Sequence, residues 1–134
     1  MRIGVDVLDR SELARLLKRP WFLRFCFSPQ ELEHAASMGG ERRSEYLTGR
    51  FAAKEAVMKA LGIGLLQGIP PHDIDVQRNN AGAPEVRFRG RAAQLATTRI
   101  TLSIAHKQNV VMAVALASPR ISEPPADTRP SPPT

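Results

Sequence analysis

The stretch RFAAKEAVMKALGIG, residues 50–64, decides the fold of this chain. Its Ala, Lys, Glu, Met and Leu residues all favour helix. Gly62 and Gly64 suit the turn that ends a helix. One face is apolar at the i, i+4, i+7, i+8 spacing, and consists of Ala53, Val57, Ala60 and Leu61. This spacing predicts a helix that packs one face against a core.

Glu55 and Lys59 lie together on the opposite side of this helix. A Glu followed four residues later by a Lys is typical of an ion pair on a solvated helix surface, and such pairs are common and weak. The pair therefore indicates a functional site only if other parts of the chain supply partners for it.

Composition predicts one folded domain and a tail. Residues 118–134 contain more than half of the eleven prolines and almost no apolar side chain. Such a segment cannot compensate its ordering entropy. We therefore predict a domain over residues 1–117 and a disordered Pro-rich tail over residues 118–134. The tail charges cancel, so the domain keeps the net charge of +6, which favours an anionic partner: nucleic acid, a membrane surface, a phosphorylated cofactor or an acidic protein.

The single cysteine and the absence of long apolar runs indicate in which cell compartment the protein is found. Cys26 lies between two phenylalanines and cannot form an internal disulfide, so we interpret it as a packed small hydrophobic residue. No run approaches the roughly 20 apolar residues of a membrane span, and the N-terminus lacks the apolar core of a signal peptide. We expect a soluble cytoplasmic protein.

The first third of the chain alternates strand and helix signals. Residues 2–7 alternate as a half-buried strand; Asp6 is unusual there, and either caps the next element or meets a ligand. Residues 9–19 predict an amphipathic helix that Pro20 ends. The aromatic segment that follows, WFLRFCF at residues 21–27, is core or subunit contact. Ser28 with Glu31 predicts a capping box. The next helix ends at Gly39-Gly40, and the long helix begins near Glu41.

The second half predicts a hairpin, a short helix and two strands. Residues 73–77 and 85–89 alternate on either side of turn residues. Residues 90–98 are Ala-rich and predict a helix, and residues 100–106 and 109–117 predict strands joined tightly at Lys107 and Gln108. The element order is mixed and partly antiparallel, so the predicted fold class is α+β.

Four residues on three elements are candidates for chemistry: Asp6 on the first strand, Glu55 and Lys59 on the long helix, and His106 at the end of a late strand. Two carboxylates beside a lysine suit Mg²⁺ held against a phosphate-bearing substrate, since Mg²⁺ uses one or two protein carboxylates and takes its other oxygens from water and phosphates. The chain lacks the glycine-lysine motif of a P-loop. His106 alone is more typical of a turn or packing histidine.

The chain resembles the holo-(acyl carrier protein) synthases, the small trimeric class of 4′-phosphopantetheinyl transferases. The most specific segment is GRFAAKEAVMKALGIG at residues 49–64. Weaker segments agree in order and spacing across residues 2–117: IGVD at 3–6, FSPQELE at 27–33, DIDV at 73–76, the Gly82-x-Pro84 turn and SIAH at 103–106. The tail has no counterpart.

The resemblance implies the fold of that class and an activity. The activity is transfer of the phosphopantetheine arm of coenzyme A to a serine of an apo acyl carrier protein of fatty acid or polyketide synthesis, with release of 3′,5′-ADP. By position, Asp6 and Glu55 would bind Mg²⁺, and Lys59 would contact the diphosphate. Asp6, Glu55 and Lys59 would be the catalytic residues, and the coenzyme A site would include Lys59, Gly62, Gly64, Ser103 and His106. The resemblance also implies a homotrimer with sites at subunit boundaries.

The positive charge suits an acidic carrier protein, because complementary charge speeds encounter and orients the partners. Arg10, Arg15 and Arg24 are the candidate carrier-facing residues. The chain departs from the family pattern at Glu12, where members often have an arginine, and at Ala105, where they have Ser or Thr. These departures leave open a carrier of secondary metabolism.

Two other readings remain. A small basic nucleic-acid-binding domain agrees with the charge, yet aromatic residues make up only 5% of the chain and no zinc-ligand set or basic run is present. An inactive transferase-like subunit is disfavoured by the intact Asp6, Glu55 and Lys59.

Overall fold

The helix predicted at residues 50–64 is the C-terminal part of α3 (Gly40–Leu61) in the computed structural model, which describes residues 1–64 and 68–120. The helix ends where Gly62 adopts a left-handed φ of 71°. The N–H of Ile63 then bonds to the carbonyl of Met58, which satisfies one of the final carbonyls. Ala53, Val57 and Ala60 are fully buried, as predicted, and Leu61 is half-buried.

Three antiparallel strands form the sheet on which α3 packs. They are β1 (Arg2–Asp9), β4 (Thr98–Lys107) and β5 (Val110–Pro119), in the spatial order β1-β5-β4. A separate antiparallel hairpin consists of β2 (Ile74–Arg78) and β3 (Pro84–Phe88). The predicted strands, the hairpin and the α+β class are confirmed. The tight β4–β5 turn places Gln108 at φ 54°.

The two faces of the three-stranded sheet have different surroundings. The face toward α3 is buried and consists mostly of small side chains, among them Ala113, Ala115 and Ala117. The other face is apolar but exposed over Ile3, Val5, Val7, Val110 and Met112. The single chain therefore leaves one apolar sheet face uncovered, which we call the outer face.

Two short helices precede α3: α1 (Pro20–Cys26) and α2 (Pro29–Ala36). The predicted capping box is present, since the Ser28 side chain accepts from the N–H of Glu31 and the Glu31 side chain accepts from the N–H of Ser28. Of the aromatic segment, Phe22 and Phe27 are buried, while Trp21 is 57% exposed. Cys26 is 1% exposed, and burial raises the pKa of its thiol to about 12, as a packed thiol requires.

The helix predicted over residues 9–19 is wrong. Two 3₁₀ turns, Arg10–Glu12 and Leu16–Lys18, occupy the segment, although Leu13 and Leu17 point inward as expected. Pro20 forces Arg19 into an extended conformation and starts α1, so the segment cannot continue into α1 as one helix.

The helix predicted over residues 90–98 is present, but Gly90–Thr97 is a 3₁₀ helix and not an α-helix. Gly90 has a left-handed φ of 51°, and the N–H of Arg91, which has no carbonyl partner at a helix start, bonds to the Asp73 carboxylate. Thr98 already belongs to β4.

Strand β5 continues past residue 117, the predicted end of the domain. Strand β5 includes Ser118 and Pro119, and the N–H of Arg120 bonds to the carbonyl of Thr97 at 2.8 Å. Most of the predicted tail, residues 121–134, lies outside the described residues. Over the described ranges, no helix has both the length and the apolar composition needed to cross a bilayer.

Candidate active site

Asp6 lies in the middle of β1 and points toward α3. Lys59 Nζ is 3.2 Å from Asp6 Oδ1 and 3.0 Å from the carbonyl oxygen of Val5. The cap that follows β1 is supplied by Asp9, whose carboxylate accepts from the N–H of Ser11. Of the two roles open for Asp6, the structure therefore excludes the cap and leaves a carboxylate facing the long helix.

Close packing of α3 on β1 brings these residues together. A Cβ placed on Gly4 would lie 1.9 Å from the carbonyl oxygen of Ala56 and 2.6 Å from the nitrogen of Ala60. Only glycine fits at such a distance. Ala56 and Ala60 also have small side chains, so the backbone of α3 contacts β1 at Gly4, two residues before Asp6.

Glu55 completes a cluster of two carboxylates and one ammonium. Burial raises the pKa of the half-buried Glu55 carboxyl, the nearby Asp6 raises it further, and Lys59 lowers it. Lys59 forms its ion pair with Asp6, and its side chain remains 54% exposed. The cluster has a net negative charge when both acids are ionised, so a cation would be stabilised there.

The donor set fits Mg²⁺ better than a metal that needs many protein ligands. Over residues 1–64 and 68–120, no group of three or more His, Cys, Asp or Glu side chains could hold a metal. Two carboxylates are the usual protein contribution to Mg²⁺ beside a phosphate substrate. Asp6 and Glu55 meet that requirement, and Lys59 offers a mobile cation one helical turn from Glu55.

The two glycines after α3 have different surroundings. At Gly62 a Cβ would meet the Arg2 guanidinium at 2.4 Å, and Arg2 Nη1 donates to the carbonyl of Leu61 at 3.1 Å. Arg2 thus covers the backbone of Gly62. Gly64 is exposed two residues further along, at the end of the first described range.

His106 is remote from Asp6 within one chain. It packs against Gly49 of α3, and its Nδ1 is 3.5 Å from Glu45 Oε1. Gly49 precedes Lys59 by ten residues, about 15 Å along a helix. The strand register agrees with this separation. Asp6 pairs with Ala113, and Ala113 pairs with Ile104, so Ile104 lies two strand spacings, or about 10 Å, from Asp6. His106 is two residues further along β4.

Ser103 lies on the opposite face of β4 from His106. It pairs with Val114, which pairs with Val5, so Ser103 belongs to the exposed outer face. A single chain therefore does not bring Ser103 or His106 to the carboxylate cluster.

His106 instead lines a polar cavity that sequence reasoning missed. Its volume is about 480 Å³. Three arginines and two histidines contribute to its wall, against one carboxylate; the lining residues are His34, Met38, Arg42, Glu45, Tyr46, Arg50, Arg78 and His106. The Arg50 guanidinium lies 4.6 Å over the Tyr46 ring. The spacing of Arg42 and Arg50, eight residues apart on one helix face, was the available signal. Such a cavity suits an anionic ligand.

Comparison with known proteins identifies the family. A family model described as the 4′-phosphopantetheinyl transferase superfamily matches residues 2–115. The chain belongs to this superfamily. A holo-[acyl-carrier-protein] synthase of Moorella thermoacetica is 40% identical over 128 residues, covering 92% of this chain and 98% of that protein. The corresponding protein of Geobacter sulfurreducens is 38% identical over 109 residues, covering 77% of this chain and 85% of that protein.

Solved structures of the same class share the fold. A holo-(acyl-carrier-protein) synthase of Bacillus anthracis in complex with CoA (3′,5′-ADP) has a TM-score of 0.75 at 28% identity, and covers 87% of this chain and 94% of its own. The Helicobacter pylori enzyme in complex with coenzyme A has a TM-score of 0.73 at 26% identity, and covers 87% and 99%. The resemblance read from the sequence is confirmed, and the chain is an enzyme of the phosphopantetheinyl transferase class. The nucleic-acid-binding alternative is not favoured.

Of the two departures from the family pattern, Glu12 has a local structural role. Glu12 accepts from the N–H of Asp9 at 2.9 Å and closes the capping box of the first 3₁₀ turn. Among the candidate carrier-facing arginines, Arg15 and Arg24 are exposed, whereas Arg10 is half-buried and donates to the carbonyl of Glu41 at 3.1 Å. Ala105 pairs with Met112 on the outer face.

Proposed function

We propose that this chain transfers the 4′-phosphopantetheine group of coenzyme A to a serine hydroxyl of an apo acyl carrier protein and releases 3′,5′-ADP. The observation that carries the proposal is the meeting of two carboxylates from β1 and α3 beside one ammonium, with Lys59 Nζ 3.2 Å from Asp6 Oδ1. This cluster lies within the matched residues 2–115. The serine oxygen forms the new bond to phosphorus as the bond to the 3′,5′-ADP leaving group breaks, and the hydroxyl proton passes to a carboxylate or to water.

Asp6 and Glu55 would hold Mg²⁺ in this reaction. When bound, Mg²⁺ supplies a Lewis acid that polarises the phosphoryl group and offsets charge on the leaving oxygen. Lys59 would turn from Asp6 to the diphosphate, which its exposed position allows. Gly64 and the backbone at Gly62 would border the same diphosphate.

A homotrimer would complete the coenzyme A site. Ser103 and His106 lie away from the carboxylate cluster of their own chain, so they would contact coenzyme A bound at the cluster of a second copy. The outer face, with Ile3 63% and Val7 54% exposed, would be covered in that assembly. The cationic cavity around His106 would then accept a phosphate end of coenzyme A.

The carrier would dock near α1. Arg15 and Arg24 are exposed there beside Trp21 and Phe25, so the surface offers both charge and apolar area to an acidic partner. Arg10 would contribute less directly, because its guanidinium already binds the carbonyl of Glu41. A carrier of fatty acid synthesis is the first expectation, and a polyketide carrier is the second. The reaction would take place in the cytoplasm.

The test incubates the full-length protein with coenzyme A, Mg²⁺ and a panel of apo carriers from fatty acid and polyketide synthesis. Mass spectrometry should detect the addition of one phosphopantetheine group to at least one carrier. The Glu55→Gln variant, folded by circular dichroism, should add none. Failure of the folded wild-type protein to modify any carrier would overturn the proposal, and full activity of Glu55→Gln would remove Glu55 from the metal site.

A further inference from the structure

A buried ion pair involves the residue next to the proposed metal ligand Glu55 in the sequence. Lys54, the preceding residue, is 1% exposed, and its Nζ is 2.7 Å from Glu31 Oε1. The same ammonium donates to the carbonyls of Pro71 at 3.0 Å and Ile74 at 2.5 Å. An ammonium has three donors, so all of them are used. The contacts join α3 to α2 and to the start of β2.

Glu31 is bonded just as completely. It is fully buried, and its Oε1 also accepts from the N–H of Ser28 at 2.8 Å while Oε2 accepts from the N–H of Val76 at 2.9 Å. The carboxylate thus closes the first turn of α2 and simultaneously holds β2. One salt bridge fixes three elements to each other.

Two further charges balance the cluster. Arg50, one turn before Lys54, is 5% exposed and donates from Nε to the carbonyl of Val76 at 3.1 Å. Asp75 is 3% exposed and accepts from Ser28 Oγ and Gln77 Nε2. Two buried cations on α3 therefore accompany two buried anions from α2 and β2.

Such a cluster is a costly way to hold a core together. Well-packed apolar residues of similar volume are often equally or more stabilising than a buried ion pair, and the best-attested gain from buried charge is a unique arrangement of elements. Lys54 and Glu55 project about 100° apart around the same helix. Fixing the Lys54 ammonium at three points therefore fixes the direction in which Glu55 points.

We propose that the buried Lys54–Glu31 pair is a positioning pair, which holds α3 at the rotation and depth that direct Glu55 toward Asp6. The inference rests on the proposed function, because it assigns the pair a task at the proposed Mg²⁺ ligands. Neither residue touches coenzyme A or the carrier in this assignment. Displacement of a reacting group by about 1 Å can lower a rate on the order of 100-fold, so loss of the pair has a measurable effect.

The test compares Lys54→Met with Leu47→Ala in the full-length protein. Leu47 is fully buried on the same helix and belongs to none of the contacts above. Thermal unfolding measures the stability of both variants, and assays are run well below both midpoints. We expect Lys54→Met to lose about 10- to 100-fold in kcat and to bind Mn²⁺, measured by calorimetry without coenzyme A, on the order of 10-fold more weakly. Leu47→Ala should keep both values close to wild type.

The double variant Lys54→Met/Glu31→Gln separates positioning from stability. It leaves no unpaired buried charge, and the glutamine oxygen can still accept from one of the two backbone N–H groups that Glu31 binds, so its unfolding midpoint should rise above that of Lys54→Met. Its kcat and Mn²⁺ affinity should stay low. If Lys54→Met does not fold, the double variant carries the comparison with Leu47→Ala.

Recovery of kcat and Mn²⁺ affinity together with stability would overturn the positioning role, as would wild-type values in Lys54→Met. A wild-type protein that modifies no carrier would instead refute the proposed function. The Mn²⁺ measurement distinguishes the two failures, because it needs neither carrier nor coenzyme A.

Discussion

Gly4 has no side chain because the backbone of α3 occupies the place where one would be. A Cβ there would lie 1.9 Å from the carbonyl oxygen of Ala56, a distance that no rotamer change relieves. The contact lies two residues before Asp6 on the same face of β1. Gly4 therefore sets the distance across which Asp6, Glu55 and Lys59 meet.

The first prediction concerns Gly4→Ala. Overpacking of a tight core costs about 1–3 kcal/mol and sometimes more, and here the added methyl group must push α3 away from β1. We expect a lower free energy of unfolding in urea and a loss of transfer activity in the protein that still folds. Gly39→Ala is the matched control, because a Cβ at Gly39 meets nothing within 4 Å and its φ is −115°. Equal stability of the two variants would contradict the packing argument.

The second prediction concerns the charge of Glu55 in metal-free protein. Burial and the neighbouring Asp6 raise the pKa of this carboxyl above its usual value of 4.5, while Lys59 opposes them in part. The native state therefore binds a proton more readily than the unfolded state, and ionisation of Glu55 destabilises the fold. This penalty is fully present above the raised pKa and disappears as the pH falls through that pKa toward 4.5.

Glu55→Gln removes the penalty, so with EDTA present it should unfold at a higher urea concentration than wild type near neutral pH. The difference should shrink as the pH is lowered toward the usual glutamate pKa. Added Mg²⁺ should stabilise wild type but not the variant. A difference that is independent of pH would exclude ionisation of Glu55 as its cause.

At the scale of elements, the first turn of α2 both begins that helix and connects it to β2. Ser28 Oγ accepts from the N–H of Glu31 at 3.1 Å and donates to the buried Asp75 at 2.5 Å. The same hydroxyl thus caps a helix and satisfies a carboxylate of β2. Sequence indicated the cap but not its second partner.

The third prediction is that Ser28→Ala destabilises the fold more than an ordinary cap mutation. Loss of an N-cap costs about 0.5–2 kcal/mol, and Asp75 also loses a donor, for which a buried acceptor costs roughly 1–3 kcal/mol. Ser37→Ala, at the exposed C-terminal end of α2, should change the free energy of unfolding by about 0.5 kcal/mol or less. Chemical denaturation measures both. Similar values for the two serines would contradict the role of Ser28 in the buried cluster.

Whether a helix or strand was predicted correctly depended on how clear the local sequence pattern is. Residues 50–61 and the strands around Val5, Val76 and Val114 have a clear period and sufficient length, and they were predicted correctly. The segments at 9–19 and 90–98 have helical composition, but both form 3₁₀ structure. In the second segment, the N–H of Arg91 is bound by the carboxylate of Asp73, which lies 18 residues earlier in the chain. Local composition does not reveal such partners.

At the scale of the whole molecule, the outer face of the sheet is an apolar surface that the single chain leaves uncovered. It presents Ile3, Val5, Val7, Val110 and Met112, each at least 41% exposed. A continuous apolar surface of this kind is typical of a protein interface. The positions of Ser103 on this face and of His106 on the opposite face of β4, both away from Asp6, agree with the proposed trimer, in which each coenzyme A would contact two chains.

The fourth prediction tests this arrangement with Val7→Glu. Val7 is 54% exposed in the single chain, so the substitution should leave the fold intact by circular dichroism. A buried unpaired carboxylate would oppose assembly. We expect light scattering to show a smaller particle than wild type, and transfer activity to be lost although Asp6, Glu55 and Lys59 are unchanged.

Ala36→Glu is the control for Val7→Glu, because it introduces the same charge at an exposed position of α2. It should keep the particle size and activity of wild type. A monomeric wild-type protein with full activity would refute the shared site.

By itself, the sequence determined the α+β class, the long helix, the family and the candidates Asp6, Glu55 and Lys59. These depend on local periodicity and on a motif whose members are close in the chain. Only the tertiary structure decided that Lys59 pairs with Asp6, that Ser103 lies on the uncovered face of the sheet, and that Lys54 is buried against Glu31. The reason is physical: each of these facts depends on which elements pack together, and residues 23 to 53 positions apart carry no local signal of their contact.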